Sequence, residues 1–311
     1  MIDLEEAVFE QARRIGQALE LDFTVENAQR LGGLTNRNYR LDTPSGRYVL
    51  RLTGVGTSDY IDRAAESINA RVASEAGVNA QVLFFDEALG VMVTRFLDKA
   101  HTMSAELFRD PGTLTRAGQA LARLHACGPA FQGRFELFEQ IDRYLSVLHG
   151  RKAEIPPGFE RVRVHAQEVR NALACHPVPL VACHCDPMVE NFLDTGRQMH
   201  IIDFEYSGNN DPMWDLGDLS VEGGFDSSQD DHLMQGYFNG PASAFDHGRM
   251  VMYKAMCDLL WTLWGAVQHA DGNPAEDFWE YSVGRLTRCQ KLMDTPDFAK
   301  HLEAVRAGGR L

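Results

Sequence analysis

Three polar side chains near the middle of the chain have the types and spacing that phosphoryl transfer needs. Asp186 and Asn191 lie five residues apart in the segment His-Cys-Asp-Pro-Met-Val-Glu-Asn, and Asp203 follows an apolar run shortly afterwards. A carboxylate can orient an acceptor hydroxyl, while an amide oxygen and a second carboxylate are ligands that Mg²⁺ accepts. We therefore predict that Asp186 is the catalytic residue, and that Asn191 and Asp203 hold Mg²⁺ against the phosphates of ATP.

The elements around these residues are predicted to bring them together. Residues 178–182 form a short apolar segment, which predicts a strand that leads into the Asp186 turn. The turn signal at residues 194–197 predicts a hairpin between residues 191–193 and 199–204. Such a hairpin would place the two predicted metal ligands close to each other.

Composition and charge limit the class of protein. Of the 311 residues, 44% are hydrophobic and 24% are charged, as in ordinary globular proteins. The net charge of −14 disfavours nucleic-acid binding, which needs basic patches. No apolar run is long enough to predict a membrane span, and the acidic start of the chain is unlike a signal peptide. The six cysteines form no small-domain disulfide framework, so we expect a cytoplasmic protein.

A zinc site is an alternative use of the cysteines and histidines around residue 184. The residues concerned are Cys175, His176, Cys183, His184 and Cys185. Structural zinc sites more often contain two Cys-x-x-Cys pairs, or a cysteine pair with a histidine pair. On a strand, the thiols of Cys183 and Cys185 would share one face while His184 points to the other. Buried, reduced thiols are therefore the favoured interpretation.

Along the chain, a β-rich part precedes a mainly helical part. Strands are predicted within residues 30–41, 47–52, 81–85 and 91–94, and helices at residues 2–20 and 59–75. Further helices are predicted at residues 113–126, 135–149, 157–174, 227–239, 244–270, 275–293 and 296–306. These patterns predict an α+β fold with a small β-rich N-lobe over residues 1–97 and a larger helical C-lobe over residues 98–311. The N-lobe would cover the nucleotide, and the C-lobe would carry the catalytic loop, the metal site and the acceptor pocket.

This order of parts is similar to that of protein kinases, and the chain resembles the choline/ethanolamine kinase group within the aminoglycoside phosphotransferase-like kinases. The resemblance covers most of the chain, from about residue 30 to about residue 290. The segments that carry it are 32–36, 49–52, 121–125, 184–191, 202–206 and 210–218, together with Glu66 and Glu222. It implies a bilobal protein-kinase-like fold and Mg-ATP-dependent phosphorylation of a hydroxyl group. The central motif does not by itself select the acceptor.

The candidates for nucleotide binding lie in the N-lobe. Gly33, Thr35 and Asn36 belong to a glycine turn, where backbone N–H groups can approach phosphates. The resemblance implies that Arg51 pairs with the phosphates, at the position where protein kinases keep a lysine, and that Glu66 is its partner. An arginine fork can bind two phosphate oxygens, whereas a lysine acts as a point charge.

An aromatic set late in the chain indicates the acceptor. Trp261 and Trp264 are three residues apart and share one helix face, and Tyr281 follows on the next helix. Aromatic faces attract quaternary ammonium groups, and Asp215 and Glu222 would add negative charge at the rim of the cavity. In choline kinases a similar Trp-x-x-Trp helix and a later tyrosine form a cage, so the resemblance implies choline or ethanolamine. Ordinary core packing of the two tryptophans is the alternative.

Two rival functions remain open at this level. An aminoglycoside kinase, or another small-molecule hydroxyl kinase of the same fold, would need a broad acidic cleft instead of an aromatic cage. A non-catalytic module that binds quaternary ammonium would carry a decayed kinase site, yet Asp186, Asn191 and Asp203 are all present. The sequence leaves open the exact acceptor, ATP versus GTP, and the oligomeric state, for which a homodimer is one option.

Overall fold

The first part of the chain folds into a five-stranded antiparallel sheet with two helices, in a computed structural model that describes residues 4–20, 24–33, 36–54, 61–127 and 131–309. Its elements are α1 (Leu4–Leu19), β1 (Asn27–Arg30), β2 (Arg37–Thr43), β3 (Gly46–Leu52), α2 (Arg63–Glu75), β4 (Val82–Asp86) and β5 (Val91–Arg95). The strand order is β1-β2-β3-β5-β4, and all neighbours run antiparallel. This arrangement places the end of β3 and the start of α2 beside residues 203–205, which Arg51 and Arg63 contact.

One face of this sheet is buried against α1. Leu41, Leu50 and Val93 are inaccessible to solvent and lie on the same face, because paired residues of neighbouring strands point the same way. They pack with Val8 and Ile15, which recur at helical spacing on α1. The amphipathic helix that the sequence predicts therefore forms one cover of the sheet.

The rest of the chain is mainly helical. Its helices are α3 (Pro111–His125), α4 (Leu137–Arg151), α5 (Phe159–Cys175), α6 (Pro212–Gly223), α7 (Ser227–Phe238), α8 (Ala244–Ala270), α9 (Phe278–Met293) and α10 (Pro296–Ala307). Short strands β6 (His101–Thr102), β7 (Val181–Cys183), β8 (Phe192–Asp194), β9 (Met199–Ile201) and β10 (Gly208–Asn210) form two small antiparallel sheets. Among the described residues, no helix combines the length and apolar character that crossing a membrane requires. The predicted α+β class is confirmed, with a small sheet followed by a helical remainder.

The predicted hairpin after Asp186 is present. Strands β8 and β9 pair antiparallel, and the N–H of Ile202 donates to the carbonyl of Asn191 at 2.9 Å. The strand predicted at residues 178–182 begins later, at Val181, and pairs with β10. Pro179 has no N–H to donate to a partner strand, which explains why pairing starts after it.

Helix α6 is a helix that the sequence patterns did not predict. Trp214 is fully buried on this helix, and its Nε1 donates to the carbonyl of Cys185 at 3.2 Å. Almost every residue of α6 is buried, including Asp215 and Asp218. The helix therefore lacks the polar outer face that produces a recognisable helical period.

Helix α2 joins the sheet to the helical part. Asn69 is fully buried, and its Nδ2 donates to the carbonyls of Gln132 at 3.2 Å and Ser207 at 3.0 Å. Its Oδ1 accepts from the N–H of Gln132 at 2.8 Å.

The five-stranded sheet ends at Arg95. We therefore propose that the boundary between the two lobes lies at residue 97, as the sequence predicts.

Candidate active site

The backbone of the loop that carries Asp186 is fixed by hydrogen bonds to one buried carboxylate, that of Asp215. The N–H groups of His184 and Cys185 donate to the two oxygens of Asp215, at 2.7 and 2.9 Å. Cys185 has a φ of +67°, a left-handed conformation that a residue with a Cβ keeps only when its surroundings fix it. Asp215 therefore fixes the backbone immediately before the predicted catalytic residue.

Asp215 corrects one prediction about the acceptor pocket. The sequence placed it at the rim of the cavity, yet it is fully buried on α6. Its Oδ2 also lies 3.0 Å from Nε2 of His125, which is the donor because a carboxylate only accepts. With three donors around it, this buried carboxylate braces the loop that carries Asp186 and has no open face for a substrate.

Asn191 and Asp203 lie next to each other at the start and just beyond the end of the hairpin. Nδ2 of Asn191 donates to the carbonyl of Asp186 at 3.2 Å, and no described residue donates to its Oδ1. Asp203, with a φ of +69°, accepts from Arg51 through Oδ1 at 3.2 Å, and its Oδ2 has no donor in the described ranges. Two oxygen atoms are thus left for a ligand. Mg²⁺ prefers such oxygens, so these residues fit the metal that the sequence predicts.

Arg51 provides unpaired donors beside Asp203. Its Nη1 lies 2.5 Å from Oε1 of Glu66, as the sequence predicts for an ion pair between β3 and α2. Its Nε and Nη2 are buried without a hydrogen-bond partner among the residues that the structure describes. Leaving a buried donor unpaired costs about 1–3 kcal/mol, so this guanidinium is suited to an anionic ligand such as phosphate.

Two further charged residues complete this cluster and were not predicted. Nη1 of Arg63 lies 2.6 Å from Oε2 of Glu66 and 3.4 Å from Oε2 of Glu205. The same oxygen of Glu205 accepts from Nδ2 of Asn36, a predicted nucleotide-binding residue, at 3.1 Å. Glu205 follows Asp203 by two residues in an Asp-Phe-Glu segment, and that proximity was the available signal. The cluster links the glycine turn to the metal loop.

The turn between β1 and β2 requires glycine at position 33. Gly33 has a φ of +146°, and a Cβ there would lie 2.5 Å from the carbonyl oxygen of Asn36. The turn is tied down by Asn38, whose Nδ2 donates to the carbonyl of Gly32 at 3.0 Å. Thr35, which the sequence assigns to nucleotide binding, lies outside the described residues. The role of Gly33 toward phosphates stays a prediction.

The structure brings Trp261, Trp264 and Tyr281 together in one cluster. Ring centroids are 5.7 Å apart for the two tryptophans and 5.8 Å apart for Trp264 and Tyr281, with nearly perpendicular planes. Gly265 allows this approach of α8 and α9, since a Cβ there would meet the Tyr281 ring at 2.7 Å. All three rings keep partial solvent access, unlike the fully buried Trp214. Their binding role remains a prediction that this access favours.

Glu222 lies near the aromatic cluster and forms an ion pair with Arg285, a residue that the sequence did not predict for the site. Nη1 and Nη2 of Arg285 lie 2.6 and 3.0 Å from the two carboxylate oxygens of Glu222. The guanidinium also lies 4.9 Å from the centroid of the Tyr281 ring. Arg285 follows Tyr281 by four residues on α9, a spacing that places both on one helix face.

Asp186 lies within electrostatic reach of both clusters. Its side chain is partly accessible, and desolvation together with the charges of Glu222, Asp203 and Glu205 raises the pKa of Asp186 to about 8. Arg285 acts in the opposite direction. Charges of both the candidate phosphate cluster and the candidate acceptor cluster therefore act on this carboxylate.

The raised pKa of Asp186 should appear in the pH dependence of stability without divalent cations. Between the ordinary value of 3.8 and the folded value of about 8, the folded protein binds the extra proton. The contribution of Asp186 to stability should therefore fall as the pH rises toward 8, by up to about 1.4 kcal/mol per unit, and level off above it. Urea unfolding at several pH values in EDTA, compared with Asp186→Asn, measures this contribution. A difference that is flat with pH would show that the pKa is not raised.

Comparison with known proteins agrees with this geometry. Residues 27–250 match the family model for the phosphotransferase enzyme family. A choline/ethanolamine kinase family protein from Mesorhizobium loti is 51% identical, with a TM-score of 0.86 over 94% of this chain and 99% of that one. Choline kinase LicA from Streptococcus pneumoniae is 29% identical, with a TM-score of 0.73 over 91% and 99%. A structure of LicA in complex with AMP is 28% identical, with a TM-score of 0.70 over 94% and 99%.

The family match spans most of the chain, and the structural similarity extends over both the sheet and the helical part. The kinase-like fold that the sequence predicts is therefore confirmed, as is its resemblance to the choline/ethanolamine kinase group. This chain belongs to the phosphotransferase enzyme family and, within it, to the choline/ethanolamine kinase family.

Proposed function

We propose that the protein transfers the γ-phosphoryl group of ATP to the hydroxyl of a small cationic amino alcohol, with choline as the first candidate and ethanolamine as the second. The observation that carries this proposal is that Asp186 lies within electrostatic reach of two clusters. One holds Arg51 with unpaired donors, and the other holds Glu222 beside partly accessible aromatic rings. The names of the related proteins, choline kinase and choline/ethanolamine kinase family protein, support this acceptor class.

The donor side fits a nucleotide triphosphate. The unpaired Nε and Nη2 of Arg51 would donate to phosphate oxygens, while Glu66 and Asp203 keep the guanidinium in place. The AMP complex of a related LicA supports nucleotide binding. Mg²⁺, held by Asn191 and Asp203, would neutralise charge on the phosphates when bound.

The acceptor hydroxyl would be oriented by Asp186. As its oxygen bonds to the γ-phosphorus and the bond to the β-phosphate oxygen breaks, the hydroxyl proton passes to the carboxylate and ADP leaves. Loop rigidity matters here, because the gain from positioning depends on holding the reacting atoms close. Asn191 and Asp215 supply that rigidity through their hydrogen bonds to the loop backbone.

The aromatic cluster would bind the ammonium end of the acceptor. A cation over the face of tryptophan or tyrosine gains about 0.5–2 kcal/mol, more where water is excluded. Trp264 is central to the cluster, since its ring contacts those of Trp261, Phe278 and Tyr281. A trimethylammonium group gains from several such faces at once, which favours choline over a primary amine.

ADP release from Mg-ATP tests this proposal. The acceptors are choline, ethanolamine, an aminoglycoside and 3,3-dimethylbutan-1-ol, the neutral carbon isostere of choline. We expect kcat/KM for choline to exceed that of the isostere roughly tenfold or more, because the isostere lacks the charge that the aromatic faces attract. Equal values for the two would remove the cage from the proposal. Turnover of the aminoglycoside alone would favour that kinase class, and absence of turnover with every acceptor would favour a binding module.

A further inference from the structure

The guanidinium of Arg285 already makes the contacts that a bound ammonium group would need. It lies over the Tyr281 ring at 4.9 Å and pairs with both oxygens of Glu222, at 2.6 and 3.0 Å. The side chains of Arg285 and Glu222 are only 11% and 14% exposed, so the pair is largely shielded from water. Aromatic face and carboxylate are the two features that recognise a cationic acceptor.

We propose that Arg285 is an internal cation that occupies the ammonium subsite of the acceptor pocket and withdraws toward Asp258 when a cationic acceptor binds. The inference rests on the proposed function, since it takes the pocket beside Glu222 and Tyr281 to be the acceptor site. It adds Arg285 as a residue that controls the binding of acceptors in this pocket.

Asp258 offers the second position for the arginine. Its Oδ1 already lies 3.3 Å from Nη1 of Arg285, a longer contact than either one to Glu222. Asp258 is buried on α8 and held by Arg288, whose Nη2 and Nε lie 2.5 and 2.8 Å from its oxygens. A shift of the guanidinium would therefore shorten an existing contact to a fixed partner.

Charge balance is preserved by this exchange. Before binding, Glu222 is neutralised by Arg285; after binding, it would be neutralised by the acceptor, while Arg285 pairs with Asp258. An unpaired charge at a buried position is strongly unfavourable, so each carboxylate keeps a cation in both states. A neutral alcohol cannot take over from Arg285 at Glu222. The arginine thus disfavours neutral acceptors and also lowers the affinity for cationic ones.

Replacing Arg285 with glutamine tests the exchange. We expect Arg285→Gln to lower KM for choline roughly 2- to 30-fold, the range that a cation–π contact spans, because the competing cation is gone. KM for 3,3-dimethylbutan-1-ol should fall as well, because the neutral isostere no longer has to displace the guanidinium. Tetramethylammonium, which cannot be phosphorylated, should raise the melting temperature of the variant more than that of the wild type, since it restores a counter-charge to Glu222.

A surface arginine gives the matched control. Arg161 is exposed on α5 and pairs with Asp294, so Arg161→Gln should leave KM and the tetramethylammonium shift as in the wild type. If Arg285→Gln does not fold, Arg285→Lys keeps the charge but loses the fork, and a smaller change in the same direction is expected.

The opposite sign would overturn the inference. A higher KM for choline and a smaller tetramethylammonium shift in the Arg285 variants would show that the arginine positions Glu222 and Tyr281 instead of competing with the acceptor. Absence of choline and ethanolamine turnover in the wild type would reject the proposed function, and the melting shifts would still decide the role of Arg285.

Discussion

Replacing Asp186 with asparagine should lower kcat roughly 10²- to 10⁴-fold, the usual contribution of a positioned general base. The amide has almost the same shape but cannot take up the proton of the acceptor hydroxyl. KM for ATP should change little, because Arg51, Glu66 and Asp203 form their cluster without Asp186. Steady-state ADP release with choline or ethanolamine gives both constants.

Loss of fold would not explain such an effect. The pKa of Asp186 is raised to about 8, so an uncharged side chain is tolerated at this position near neutral pH. Glu190→Gln is the matched control, since it makes the same carboxyl-to-amide replacement at an exposed position in the same loop. If Asp186→Asn kept about a tenth or more of the wild-type kcat, Asp186 would not be the residue that takes the proton.

Replacing Asp215 with alanine should cause the largest loss of stability of any single change discussed above. It removes the acceptor for the N–H groups of His184 and Cys185 and for the ring of His125. Each of these three buried donors left unpaired costs about 1–3 kcal/mol, so we expect the free energy of unfolding to fall by about 3–9 kcal/mol. Urea unfolding followed by tryptophan fluorescence measures this change, and kcat should fall with it because the loop before Asp186 loses its anchor.

Two further variants separate the bracing role from a general effect of losing a carboxylate. Asp231→Ala removes an exposed carboxylate on α7 and should leave stability nearly unchanged. Asp215→Asn keeps one acceptor oxygen and should be intermediate. If Asp215→Ala unfolded like the wild type and only raised KM for the acceptor, the residue would belong at the rim of the pocket, as the sequence first indicated.

The sequence by itself determined the fold class and predicted which residues of the candidate donor side lie close together. Asp186, Asn191 and Asp203 lie within eighteen positions of one another, and a short hairpin with a clear turn signal connects the last two. The pair of Arg51 and Glu66 was accessible for a similar reason, since β3 and α2 are consecutive described elements. Local geometry constrains such neighbours strongly, so residue types, spacing and the family resemblance together were sufficient to predict which of them lie close.

Only the tertiary structure decided the partners of the acceptor side. Asp215 and Glu222 lie on one helix, yet Asp215 accepts from the loop that carries Asp186, whereas Glu222 pairs with Arg285, which is 63 residues away. A buried helix such as α6 shows no polar face in its sequence, so the pattern cannot tell which way each carboxylate points. The partner of a buried carboxylate depends on which donors, distant in sequence, the packing of the elements brings near it. Spacing along the chain predicts neighbours on one element, whereas the pairing of buried charges between elements is fixed only when those elements pack.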